Sequence, residues 1–365
     1  MSDRQAVFLI NLLQDVNILR PLVFMAARDI GLATRILVTP QFHRRDRSGV
    51  WGQEIAEMSL ATGTEVIFLK DSQQAIDLVQ AQSGVLVAAS ESNLAAHKPI
   101  HDVFLQAPST FLKVTVQHGY ESVGLMQSRE HDRAHGKKVE FAADVVCVWT
   151  APFRLRSLMM SQHEKLYVTG PSAVLQMDRS NHNELEGLDR GLVCENLHSV
   201  RLNVSGDIKE DFLEVFHEFC FHQSLHSLGV TLRPHPGGQY VVKNQISLPE
   251  NVTLNNNPIY KVDLRRYAYG ISAPSSIIID MILAGIPTAV WSDKGSVMDA
   301  DNYDGLTRIS TVSDWIEFAQ EAKENPLSFL ELQERFLQKL LMPTDPRHVY
   351  ERYAKLFDPT IEIEC

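Results

Sequence analysis

The sequence predicts an α/β protein built from two parallel-sheet domains that face each other across a cleft. Three observations carry this expectation. Short apolar runs alternate with longer helical patterns almost throughout, which favours parallel sheets covered by helices on both faces. At 365 residues the chain exceeds what one ordinary core holds. A polar stretch rich in Asn, Asp and Glu, residues 177–191, has little periodic apolar pattern and divides the chain near its middle.

In the first half, strands are expected at 6–10, 34–38, 65–69, 84–88, 113–117 and 144–149, each a run of Val, Ile, Leu, Phe or Ala bounded by turn residues. Residues 18–31 read as the first crossover helix, with Gly31 closing it, and 54–62 and 73–82 as later helices. Leu166-Tyr167-Val168-Thr169-Gly170-Pro171 makes a short strand and a sharp turn. The second half restarts with a strand at 191–195, followed by a helix at 210–227 and strands at 230–232, 269–271 and 287–291. A helix at 276–284 lies between the last two strands, and residues 313–357 read as helices broken at Pro326 and Met342-Pro343. The expected domains are 1–176, 190–340 and a helical tail at 341–365.

Composition narrows the class. Apolar residues at 44% and charged ones at 22% fit a globular chain rather than a disordered one. The net charge of −11 argues against broad nucleic-acid binding, which needs a basic face. No run reaches the ~18 apolar residues of a membrane span. The first ten residues enter a strand-like run with neither a basic leader nor a cleavage site, so a cytoplasmic location is expected. Cys147, Cys194, Cys220 and Cys365 are scattered without CxxC spacing, and Cys147 and Cys194 lie in apolar strand-like runs, so buried reduced thiols are expected rather than metal ligands or disulfides. No cofactor is expected.

Two motifs carry the chemistry. Arg233-Pro234-His235-Pro236-Gly237-Gly238 closes the strand at 230–232, and Ser272-Ala273-Pro274-Ser275-Ser276 closes the one at 269–271 and opens a helix. Both stand where strands of an open sheet deliver residues to the ligand crevice. A guanidinium, an imidazole fixed between prolines, and two hydroxyls at a helix start suit a phosphate. Asn11-Leu12-Leu13-Gln14-Asp15 follows the first strand instead of a GxGxxG turn, which disfavours a plain dinucleotide dehydrogenase.

These motifs support a resemblance. The passage from Asp144-Val145-Val146-Cys147-Val148-Trp149 to Gly170-Pro171 resembles the interdomain crossing of GT-B glycosyltransferases, which have two Rossmann-like domains. Gln117-His118-Gly119 looks like the His-Gly turn of capsule-synthesis and CDP-glycerol transferases. The Arg-Pro-His-Pro and Ser-Ser motifs resemble the paired signatures of transferases with cytidylate donors, including bacterial sialyltransferases, β-Kdo transferases and teichoic-acid polymerases. The resemblance implies transfer of Kdo or a related ulosonic acid from a CMP-sugar donor to a polysaccharide or lipid-linked glycan. Peripheral contact with the inner membrane or with capsule-assembly proteins is a further expectation. A CDP-glycerol or CDP-ribitol phosphotransferase, a UDP-N-acetylglucosamine 2-epimerase-like isomerase and a non-catalytic assembly partner remain alternatives.

Site residues follow. Arg233, His235, Ser275, Ser276 and Asp280 are the expected donor-binding set, although Ser275 or Ser276 could simply cap a helix and Asp280 could complement its dipole. Glu195, at the end of the strand at 191–195, is the leading carboxylate for the anomeric centre, with Asp207 as its competitor. His118 and Glu121 flank Gly119 as candidate acid or base for the acceptor hydroxyl, with Asp15 a weaker one. His217, His222 and His226 recur at helical spacing but lack companion ligands, so no metal is expected. His43-Arg44-Arg45-Asp46-Arg47 reads as a basic loop, solvated or in contact with a phosphorylated acceptor.

Overall fold

The computed structural model describes residues 4–177, 188–203, 208–295 and 297–358. The first half forms a seven-stranded sheet from β1 (Gln5–Ile10), β2 (Ala33–Val38), β3 (Glu65–Phe68), β4 (Gly84–Ala88), β5 (Phe111–Val116), β6 (Val145–Val148) and β7 (Leu166–Val168). The second half forms a six-stranded sheet from β8 (Gly191–Cys194), β9 (Val230–Arg233), β10 (Val252–Leu254), β11 (Tyr269–Ser272), β12 (Thr288–Trp291) and β13 (Thr307–Ile309). Strand orders are β3-β2-β1-β4-β5-β6-β7 and β10-β9-β8-β11-β12-β13, and the paired strands run parallel. Each order reverses once, between β1 and β4 and between β8 and β11. Such a switch point leaves a crevice at the strand C-termini.

The central strands are apolar because both faces are covered. All six residues of β1 and all five of β4 are buried. The unanticipated strands β10 and β13 are three-residue sheet edges, partly exposed and therefore without a continuous apolar run.

The first crossover helix begins at Leu13, five residues before the expected start. Asp15 makes this possible by accepting the Asn11 and Leu12 N–H groups at 2.8 and 2.7 Å. Its carboxyl is buried away from the cleft and also accepts the Ser90 hydroxyl, so Asp15 holds the turn. Pro21 interrupts the helix without breaking it. The Asn17 carbonyl, which would otherwise accept the missing N–H, accepts Gln176 Nε2 at 3.1 Å. Ser172 likewise donates to the Ile18 carbonyl at 2.7 Å, so the crossing segment docks on this helix.

Gly170 marks that crossing. It has a φ of +79°, and a Cβ there would strike the Pro343 carbonyl. The helices Val312–Glu324 and Pro326–Leu340 follow the second sheet. The expected helical tail, Pro346–Phe357, returns to the first: Phe357 packs on Phe8 with ring centroids 6.2 Å apart, and the Tyr353 hydroxyl donates to the Gly170 carbonyl at 3.0 Å. No helix among the described residues is long and apolar enough to cross a membrane.

Candidate active site

A cavity of about 480 Å³ lies between the two sheets, lined by loops at the C-terminal ends of β1, β5, β6, β8, β9 and β11. Of the nine expected site residues, His118, Glu121, Arg233, His235, Ser275, Ser276 and Asp280 line it. Asp207 lies outside the described residues, as do residues 178–187 of the expected linker.

The His-Gly turn and the Ser-Ser motif meet. Tyr120 N–H donates to Ser276 Oγ at 2.8 Å, and a Cβ on Gly119 would sit 2.7 Å from that oxygen. Glycine at 119 therefore permits the close approach of the two halves. Ser276 makes no side-chain cap bond to its own helix, Ile277–Leu283, which corrects the capping alternative for that hydroxyl. Ser275 is 9% exposed and lines the cavity.

The two motif histidines hold opposite tautomers. His118 Nδ1 lies 3.2 Å from the Ala89 carbonyl, which can only accept, so Nδ1 carries the proton and Nε2 keeps a lone pair. Burial holds its pKa below the usual imidazole value, with the Ala89 bond opposing. His235 Nδ1 accepts the Gly237 N–H at 3.1 Å, so its proton sits on Nε2. Burial, then His198 and Arg233, push its pKa well down. One ring can take a proton and the other can donate a hydrogen bond.

Arg233 is 5% exposed and donates through Nη1 to the Asn257 carbonyl at 2.5 Å. Burial raises the Asp280 pKa to about 7, against the pull of Arg233. Asp280 stands on the rim shared with a second cavity of about 290 Å³, which is lined by residues 259–265.

Two carboxylates differ from expectation. Glu195 does not point into the cleft: Oε2 accepts the Leu197 N–H and Oε1 the Tyr240 N–H, each at 2.9 Å, and the residue is 2% exposed. Loops turning away from strand ends leave N–H groups without ladder partners, and the carboxylate beside them satisfies two. Glu195 thus braces the loops after β8 and β9. Glu121 lines the cavity, but its carboxylate is engaged by Arg201 Nη2 at 2.6 Å, Asn302 Nδ2 at 2.7 Å and the Tyr303 hydroxyl at 3.1 Å. Arg201 Nε is also 3.8 Å from Glu130 Oε2. This buried clasp joins the two halves.

Sequence reasoning missed Arg201, His198, His131 and His135, all of which line the cavity. His198 and Arg201 follow β8 closely, so their place just past a strand end was a usable signal. His131 and His135 sit on the helix Arg129–His135, a seven-residue polar segment with no apolar stripe. Residues 40–45 form a short helix rather than a loop, with Arg44 and Arg45 exposed. No group of three or more potential metal-ligating side chains occurs among the described residues. Cys147 and Cys194 are buried thiols, as expected, and so is Cys220, while Cys365 lies outside the described residues.

The two facing parallel sheets, with a cleft between them and a last helix returning to the first sheet, define a GT-B fold. Solved structures share it over nearly the whole chain. A Listeria monocytogenes protein assigned as a UDP-N-acetylglucosamine 2-epimerase superposes with a TM-score of 0.61 at 13% identity, covering 96% of this chain and 94% of that one. The wall teichoic acid polymerase TagF gives 0.59 at 12%, covering 96% and 88%. The calicheamicin glycosyltransferase CalG4 gives 0.54 at 13%, covering 98% of both. No family profile and no curated protein matches the sequence.

Proposed function

We propose that the chain is a glycosyltransferase that moves a sugar from a CMP-activated donor, Kdo or a related ulosonic acid, to a hydroxyl of a surface polysaccharide or lipopolysaccharide acceptor. One observation carries the reading: His118, with a lone pair on Nε2, shares a single cavity with His235, Arg233 and Ser275, which can bind an anion. In the proposed step the acceptor oxygen attacks the anomeric carbon while the bond from that carbon to the phosphate oxygen breaks. The hydroxyl proton passes to His118 Nε2. The electron pair leaves with CMP, whose phosphate is met by the His235 Nε2–H, the Arg233 guanidinium and the Ser275 hydroxyl, without a metal ion.

Engagement of Glu121 and Glu195 by other protein groups favours a single displacement with inversion over a covalent route. The adjoining cavity at residues 259–265 has room for the nucleoside. A lipid-linked acceptor places the protein at the membrane surface, where exposed Arg44, Arg45 and Arg47 supply positive charge. TagF, solved with CDPG, and CalG4 lend support through the shared fold.

Thermal-shift titration with CMP, CDP, UMP, UDP and GDP tests the donor class. CMP at a hundredfold its Kd should stabilise by about 2.7 kcal/mol, and GDP should not. Stabilisation by UDP with none by CMP overturns the cytidylate reading in favour of the epimerase-like one.

A further inference from the structure

The loop after β8 brings an imidazole face to face with the motif histidine. The rings of His198 and His235 lie 4.2 Å apart between centroids, tilted by 36°, and both line the main cavity. The contact is built into the backbone. A Cβ on Gly238 would collide with the His198 ring, so the second glycine of the Arg-Pro-His-Pro-Gly-Gly motif makes room for it. Glu195 ties the same two loops together through the Leu197 and Tyr240 N–H groups.

The rings are not equivalent. His235 already uses its Nδ1 lone pair for the Gly237 N–H, so a second proton there would break that bond. No hydrogen bond ties His198 among the described residues. The surroundings keep His198 neutral when the cleft is empty: burial, then Lys243 and His131, lower its pKa to about 4. His235 faces it from the β9 loop, Lys243 from the helix Tyr240–Lys243, and His131 from the helix Arg129–His135. An anion seated beside the pair reverses this balance for one ring. Like-charge repulsion at this separation opposes a second imidazolium.

We propose that His198 is an anion-binding residue of this cleft, and that it takes up one proton as the phosphate binds while His235 stays neutral and donates from Nε2. The proposal rests on the cleft being a nucleotide-phosphate site. Binding therefore couples to pH with a definite sign. Between the free and bound His198 pKa values one proton enters with each ligand, so affinity falls tenfold per unit rise in pH.

The test is calorimetric titration of CMP and, separately, of inorganic phosphate at pH 7.5, where a phosphate monoester is already largely its dianion (second pKa about 6). Buffers of different ionisation enthalpy report the protons exchanged. Wild type should take up about one proton per CMP. His198→Gln should abolish the uptake and weaken binding roughly 10- to 100-fold, the loss expected for a charge-assisted hydrogen bond. His235→Gln should weaken binding and keep the uptake. CMP binding without proton uptake in wild type, or with uptake unchanged in His198→Gln, overturns the proposal and leaves the nucleotide reading standing. If inorganic phosphate binds with His198-dependent uptake while CMP does not bind, the nucleotide reading fails and the imidazole pair stands. Binding of neither ligand removes both.

Discussion

Replacing Glu121 by alanine separates a structural clasp from a catalytic base, the two roles open to that residue. Its side chain is 8% exposed and pairs with Arg201, 1% exposed, at 2.6 Å. Alanine would leave the buried guanidinium with the Pro274 carbonyl at 3.4 Å and, as its nearest carboxylate, Glu130 at 3.8 Å. Removing one partner of a buried pair costs about 3–5 kcal/mol. Asn302 and Tyr303 also lose an acceptor, but the clasp borders the cavity and water can replace part of it, so the total stays near that range. With an unfolding entropy of roughly 2.1 cal/mol/K per residue, the melting temperature of the whole chain should drop by roughly 4–7 °C. Glu121→Gln keeps the shape and one acceptor oxygen, and should cost less. Differential scanning calorimetry of both variants, with and without CMP, measures this. A wild-type melting temperature for Glu121→Ala, combined with abolished transfer and intact CMP binding, would refute the clasp and make Glu121 the base.

Two further outcomes test the arrangement. His118→Asn should leave CMP affinity within about threefold while slowing transfer by ~10²–10⁴, the usual range for general-base loss. In wild type the His118 pKa lies below the ordinary imidazole value, so the base is ready at neutral pH and kcat/KM should fall only as acid protonates it; a rate that rises toward acid excludes this role. Glu195→Gln removes an acceptor charge from the Leu197 and Tyr240 N–H groups, so it should lower both CMP affinity and the melting temperature. Unchanged binding and stability with lost transfer would restore Glu195 as the reacting carboxylate.

The strands at the centre of each sheet were legible because burial on both faces requires uninterrupted apolar runs, as in β1, β4 and β8. The edge strands were not, since β10 leaves two of its three residues exposed. The cleft residues at strand ends followed from the same reasoning, because the position of Arg233, His235 or Ser275 depends only on where a strand stops. Side-chain direction did not follow. Glu195 has the right address and the wrong orientation, fixed by two backbone N–H groups contributed by other parts of the loops. Glu121 is decided by Arg201, eighty positions away, and no local pattern links the two. The need for glycine at 119 and 238 comes from Ser276 and His198, which are distant in sequence and leave no local mark on either motif.

The helix Pro346–Phe357 completes the first half only after the chain has passed through the second. A ribosome delivers residues in order, so the nascent first sheet waits with the Phe8 side of its packing unfinished while more than 150 further residues are made. An apolar face held open that long is a target for chaperones and for aggregation. The chain thus crosses between the halves twice, and the Gly170 and Pro343 backbones of the two crossings lie against each other. Proteolytic removal of this helix should therefore damage the half that is synthesised first.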